Sequence, residues 1–189
     1  MNCYGGKQLA ESFRTVRRNT LKIAEEIPEE KYSFKPTPDT KSVGQLLTHI
    51  GLGPRFQQQV HQVDKVKTLE GFNFPGLMQT ISAEEQKPRS KAQIIDFLTR
   101  EGEAWALWLE GLSDDFLSEE VRMPQGTQPA TKCRLEMLLS PKEHEMHHRG
   151  QLMLIQRMLG ITPHLTRDFQ ERMAARAAEQ ARAAEQARA

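Results

Sequence analysis

The sequence predicts an all-α fold: a four-helix bundle with long crossover connections and an extra C-terminal helix. Three observations predict it. Apolar residues recur at helical spacing in four separate segments. Two irregular stretches, 64–89 and 113–131, hold prolines and glycines and make long crossings between them. No segment shows convincing two-residue alternation. The best candidate strand is a short stretch near Val121, too weak to count as one.

The first helix carries the stripe Leu9, Phe13, Val16, Thr20, Ile23, Ala24 and Ile27. Arg14, Arg17, Arg18 and Lys22 fall on the opposite face, which reads as a solvated surface, with docking of an acidic partner as the alternative. Pro28 closes the helix, and Pro28, Pro36 and Pro38 make the segment up to Thr40 an ordered loop. Ser42 and Gln45 form a capping box, in which each side chain satisfies a free backbone donor, so a second helix starts there. Its inward stripe is Leu46, His49, Ile50, Gly53, Phe56 and Val60. The connection 64–89 holds a short helical piece near Ala83, and a connection this long is often functional.

Ser90 and Gln93 repeat the capping box and open a third helix with Ile94, Leu98, Trp105, Trp108 and Leu112 inward. The two tryptophans continue the apolar stripe and read as packing; a ligand platform is the alternative. The fourth helix spans about Lys132 to Leu159. Pro141 predicts a kink or a fresh start, for which Ser140 and Glu143 supply caps. Gly160 and Pro163 stop it. Beyond it, RAAEQA occurs twice from Arg176 to Ala187 and a third copy begins at Arg188. These are helix formers without a strong apolar face, which predicts a frayed helix outside the core. The expected organisation is a bundle over 1–165 and a low-complexity helical tail over 166–189.

The chain has 189 residues, enough for one domain with a real core. Lys and Arg number 26 against 25 Asp and Glu, a net charge of +1, which argues against a dedicated nucleic-acid binder. No apolar run reaches the length of a membrane span, and residues 1–10 lack an apolar signal core. Cys3 and Cys133 are the only cysteines, too few for a disulfide framework or a four-cysteine zinc site, and they fit a reducing cytoplasm.

The chemistry-bearing segment is His144-Glu145-Met146-His147-His148. Residues four apart on a helix differ by about 40° of rotation and ~6 Å of rise, so the His144 and His148 imidazoles lie over one another. Leu152, Ile155 and Leu159 continue their face, so both point into the bundle. One such pair arises by chance in about one sequence in five with this histidine content, so the pair alone is weak. His49 adds a third inward histidine from another helix. A first-row metal would satisfy all three rings; core histidines bonded to neighbouring side chains would do so too. His147, at the edge of the face, ranks below them as a substitute ligand or supporting group. His61 and His164 read as surface histidines. Cys3 and Cys133 are poor ligand candidates.

His144 to His148 also spells H-E-x-x-H, the zinc protease motif, with Glu145 as general base. The extended form needs Gly and His where this chain has Gln151 and Leu154, and no strand is predicted beside the helix to hold a peptide.

Three blocks together resemble the DinB/YfiT-like superfamily of metal-binding bundles. They are the proline-containing loop and helix from Pro28 to Ile50, the run HEMHHRGQL from His144 to Leu152, and the helix ending LGITP from Leu159 to Pro163. The resemblance covers about residues 5–165. It implies an up-down-down-up bundle with His49, His144 and His148 as ligands of one divalent transition metal (Zn, Ni or Fe), water completing the coordination. It implies a metal-dependent enzyme, a hydrolase or a thiol S-transferase, acting on a small-molecule substrate, with a low-molecular-weight thiol as one candidate. It also admits a homodimer. A non-catalytic metal-binding or protein-interaction bundle is the alternative. Pro141 departs from the family's continuous helix one turn before His144, and the C-terminal repeat is not part of the family core. Gly150 suggests close helix contact beside the site. Gln151 is the better placed of Arg149 and Gln151 to orient a ligand.

Overall fold

The computed structural model describes residues 4–186, so Cys3 and the last residues of the C-terminal repeat lie outside the described residues. Helix α1 spans Gly6–Glu26 and gives way at Ile27 and Pro28 to a 3-10 turn, Glu29–Lys31. Helix α2, Val43–Leu52, starts at the Ser42–Gln45 capping box: Gln45 N donates to Ser42 Oγ (3.3 Å) and Ser42 N to Gln45 Oε1 (2.9 Å). It is prolonged by the single turn α3, Arg55–Gln57, and a π-helical turn, Gln58–Val63. Helix α4 is Phe74–Glu85, and α5, Lys91–Glu110, opens at the Ser90–Gln93 box. The short α6, Asp114–Ser118, leads to strands β1, Glu120–Arg122, and β2, Thr131–Cys133, then α7, Arg134–Met158, and α8, His164–Gln186.

The core is layered, and the layers give the helix directions. In one layer the C-terminal end of α1 (Ile23, Ala24, with Ile27) meets Leu46 and Leu47 of α2, Ile94 and Leu98 of α5, and Leu152 and Ile155 of α7. In the other, Leu9 and Phe13 of α1 meet Trp105 and Leu109 of α5 and Leu138 of α7. Thus α1 and α7 run one way and α2 and α5 the other: up-down-down-up. Trp105 is fully buried and stacks on Trp108 (4.8 Å, 28°), so the pair is packing. No helix among the described residues is long and apolar enough to cross a membrane.

Several expectations are corrected. The stretch near Val121 is a real strand: β1 and β2 pair antiparallel, Val121 opposite Lys132, with Val121 fully buried. At three residues each, the strands are too short to show a period. The helical piece near Ala83 is the twelve-residue α4, opened by Asn73, whose side chain accepts from Gly76 N. Phe74, Leu77, Met78 and Ile81 stand at helical spacing along it, but none of its residues is fully buried. Pro141 does not restart α7, which is unbroken from Arg134 to Met158. Its ring is buried, and packing holds the helix through the lost hydrogen bond. The cap is Cys133, whose sulfur accepts from Glu136 N (3.5 Å).

Arg17 is not on a solvated face. It is 4% exposed, and it lies among Phe13, Thr20 and Ala24 at four- and three-residue steps. Its Nε donates to both oxygens of Glu145 (3.0 and 3.1 Å) and its Nη2 to Glu145 Oε2 (2.9 Å). Nη1 donates to the Leu98 carbonyl (2.5 Å) and Nη2 also reaches the Ile50 carbonyl (3.5 Å). The Ile50 oxygen also accepts from Gly53 N (3.1 Å), so its second lone pair takes this donor. Gly102 supplies the room: a Cβ there would stand 2.8 Å from Arg17 Nη1.

His61 and His164 are buried as well, against the surface reading. His61 donates from Nε2 to Gln57 Oε1 (2.9 Å) and accepts at Nδ1 from Arg134 Nη1 (2.8 Å). Arg134, 1% exposed, also donates to Glu119 Oε2 and the Val66 carbonyl, tying the π-helical turn to the start of α7. His164 faces Asn19 Oδ1 (3.3 Å), and Arg167 pairs with Glu26, which pins the first turn of α8 to α1. From Phe169 onward the described part of α8 is exposed.

Removing one partner of a buried ion pair leaves the other charge unpaired. Arg17→Met and Glu145→Leu should each lower the unfolding free energy by about 3–5 kcal/mol. The double variant should lose less than the sum of the two, as denaturant unfolding of all four proteins will show. Burial, and then the Arg134 charge, hold the His61 pKa down to about 4 in the fold. Unfolded, it returns to about 6.5. Between these values the unfolded chain binds the extra proton, so stability falls as pH drops from about 6.5 to about 4. In His61→Gln this part of the stability-against-pH curve should be shallower.

Candidate metal centre

The antiparallel packing of α2 on α7 puts His49 opposite His144 and His148. His144 sits one turn after Pro141 in the unbroken helix, and His148 one turn further on. His144 Nε2 lies 3.1 Å from His49 Nε2 and 3.1 Å from His148 Nε2. Ring centroids are 4.5–4.9 Å apart in the three pairs. Nothing else among the described histidines, cysteines and carboxylates forms such a group of three.

The outer nitrogens are fixed by different partners. His49 Nδ1 donates to Glu85 Oε2 (3.0 Å), at the end of α4. His148 Nδ1 donates to Gln151 Oε1 (2.8 Å). Each ring therefore carries its proton on Nδ1 and aims an Nε2 lone pair at the common centre. His144 Nδ1 is buried without a partner, and a Cβ on Gly53 would stand only 2.9 Å from it. Gly53 thus leaves space for that ring.

The surroundings favour the neutral form of His144 and His148. Burial, then the nearby His148, His49 and His147, push the His144 pKa down to about 4. Burial also lowers His148, partly offset by its bond to Gln151. Burial alone would raise the Glu85 carboxyl, but bonds and charges from Lys41 and His49 hold it below its ordinary value. Lys41 pairs closely with Glu85, so a chain Lys41–Glu85–His49 runs to the centre.

The donor set fits a transition metal. Two of the three nitrogen pairs, at 3.1 Å, are spaced as ligands about 2.0–2.1 Å from one cation would be, and all three atoms lie within 4.8 Å of one another. The Nε2 lone pairs of His49 and His148 both face His144 Nε2, and a cation among them would engage all three rings. Three protein ligands on one side also leave coordination positions open.

The remaining sequence candidates divide. His147 is exposed; its Nε2 faces Gln151 Nε2 (3.3 Å) and does not join the other three. Gln151 supports His148 as expected, although from an exposed position. Gly150 makes no close helix contact, since nothing lies within 4 Å of a Cβ built there. Glu145 is 1% exposed and bound to Arg17, which removes the free general base that the H-E-x-x-H protease reading needs. Sequence reasoning missed Glu85, because nothing in the composition of α4 ties it to the histidines.

Comparison with known proteins decides the family: the DinB superfamily matches residues 12–152, the span that carries all three histidines. The chain belongs to the DinB superfamily. Its relatives include the uncharacterized protein YjoA of Bacillus subtilis strain 168, 24% identical over 161 residues, which are 82% of this chain and 91% of that one. The DinB-like crystal structure of YjoA superposes with a TM-score of 0.60 at 22% identity, over 82% of this chain and 94% of that one. YfiT from Bacillus subtilis, described as a probable metal-dependent hydrolase with an unusual four-helix bundle topology, gives 0.64 at 11% identity, over 86% and 91%. The colibactin self-resistance protein ClbS, seen in complex with a dsDNA, gives 0.51 at 17% identity, over 78% and 94%. Gly53→Ala should keep the helical content, because residue 53 has ordinary right-handed backbone angles. It should displace the His144 ring and weaken zinc binding at least tenfold, as competition against a chromophoric chelator will read.

Proposed function

We propose that this DinB-superfamily protein is a metal-dependent enzyme in which His49, His144 and His148 hold one divalent transition ion, Zn, Ni or Fe. The observation that carries the reading is the convergence of three Nε2 atoms, two of them with their protons held on the far side of the ring. Such an ion, when bound, supplies Lewis acidity and lowers the pKa of a water or thiol. Hydrolysis and thiol S-transfer to a small molecule are both reactions of that kind.

The chain's own residues have separate tasks. Glu85 and Gln151 hold the His49 and His148 rings in the tautomer that presents Nε2. Lys41 keeps Glu85 ionised, so that it accepts the His49 proton rather than sharing it. Burial of His144 keeps it neutral at the pH where a ligand must be unprotonated. The net charge of +1 favours a small-molecule substrate over a nucleic acid. The YfiT description supports the hydrolase side of the reading by its fold alone.

Protein purified without a histidine tag or chelator should carry about one transition metal per chain. His49→Ala, His144→Ala and His148→Ala should lose it while keeping their helical circular dichroism. Glu85→Ala and Gln151→Ala should bind zinc about 10–100-fold more weakly, as expected for the partners that orient ligands. Equal metal content in the wild type and all three histidine variants would overturn the proposal. The bound metal then sets the reactions to screen, with ester and amide hydrolysis beside thiol transfer.

A further inference from the structure

A cleft of about 410 Å³ opens directly beside His148, in the size range of small-molecule sites. His148 and Gln151 line it on α7, and one turn further along the same helix it is lined by Leu154 and Ile155. Leu46 of α2 lies on the same side, since α2 runs antiparallel and residue 46 precedes His49 by one turn. Pro36, from the loop before α2, lines it too. The polar contributions besides His148 and Gln151 are Thr40 and Lys41.

From His148 to Ile155 the axial distance is about 10 Å at the helical rise. A molecule lying in this cleft therefore meets imidazole and amide at one position and aliphatic carbon at the next. Leu154 is 60% exposed, an apolar surface that a ligand's carbon chain would cover. Leu46, Leu154 and Ile155 offer no hydrogen-bond partner to the hydroxyls of a sugar or nucleotide, so that part of the cleft favours carbon over hydroxyl-rich ligands.

We propose that this cleft binds the apolar body of the substrate and that the substrate class is a small molecule with an aliphatic chain or ring joined to a carbonyl-type head that reaches the three histidines. The inference rests on the metal reading above and narrows it. Leu154 and Leu46 set chain preference, while Lys41 stays committed to Glu85.

The test uses the full-length, zinc-loaded protein and a series of straight-chain hydroxamates from acetohydroxamate to octanohydroxamate, titrated calorimetrically. Zinc content is measured separately in every sample. Affinity should rise by about two- to fourfold for each methylene added over the first part of the series. Leu154→Asp should flatten that dependence with zinc content unchanged, whereas Leu107→Asp, an equally exposed leucine on α5, should leave it as in the wild type. Zinc uptake with equal affinity for the shortest and longest hydroxamates overturns the cleft assignment and leaves the metal centre standing. Chain-length dependence that survives in Leu154→Asp also overturns it, because the chain then lies elsewhere. Failure to take up zinc overturns the metal reading, and the inference with it.

Discussion

A single buried guanidinium joins the four main helices. Arg17 belongs to α1, binds the Glu145 carboxylate of α7, and donates to backbone carbonyls of α5 and α2. A charge so placed is tolerable only if every neighbour is in position, because each missing partner leaves it underpaired in low dielectric. The group therefore constrains the axial register of α7 against α2. Glu145 adjoins His144 in sequence, and Ile50 adjoins His49, so the same constraint sets the histidines across from one another. Gly102 serves it by leaving space for the guanidinium.

The candidate metal centre is built on that frame by assigning protons. A carboxylate and an amide oxygen take the Nδ1 hydrogens of His49 and His148, while the third ring is kept neutral by burial. Two of the three histidines come from a rigid core helix. The third depends on Glu85, at the end of a helix that contributes nothing to the core. On the α7 side the three histidines meet a cleft lined by Leu46, Leu154 and Ile155, so imidazole and aliphatic surfaces adjoin along two turns of one helix.

Much of this was legible before any coordinates. Ser42 with Gln45 and Ser90 with Gln93 mark helix starts because a cap is a local hydrogen-bond pattern, written in adjacent residues. His49, His144 and His148 were legible because an inward histidine violates an apolar stripe. The reverse reasoning failed at Arg17 and His61, where polarity was taken to mean exposure. Their positions on the stripe, Arg17 between Phe13 and Thr20 and His61 beside Val60, were the better signal. Helix α4 is a different case: Phe74, Leu77, Met78 and Ile81 stand at helical spacing, the last three half-buried, and the glycines and prolines around them mask the signal. The β1–β2 pair is too short for a period, so tertiary contacts decide it. Pro141 shows the same precedence, since burial overrides the local preference to break.

The lack of buried residues in α4 has a kinetic side. A segment that anchors no core can detach without unfolding the bundle, and such partial openings are the cheapest a protein has. When α4 lifts, His49 loses the carboxylate that fixes its tautomer, while His144 and His148 stay paired on α7. The His49 ring stays on α2, held by Leu46, Leu47 and Ile50 in the core, but is then free to take either tautomer. For an ion held as proposed, the orientation of this one ligand would follow the docking of a surface helix, while the other two follow the packing of the core.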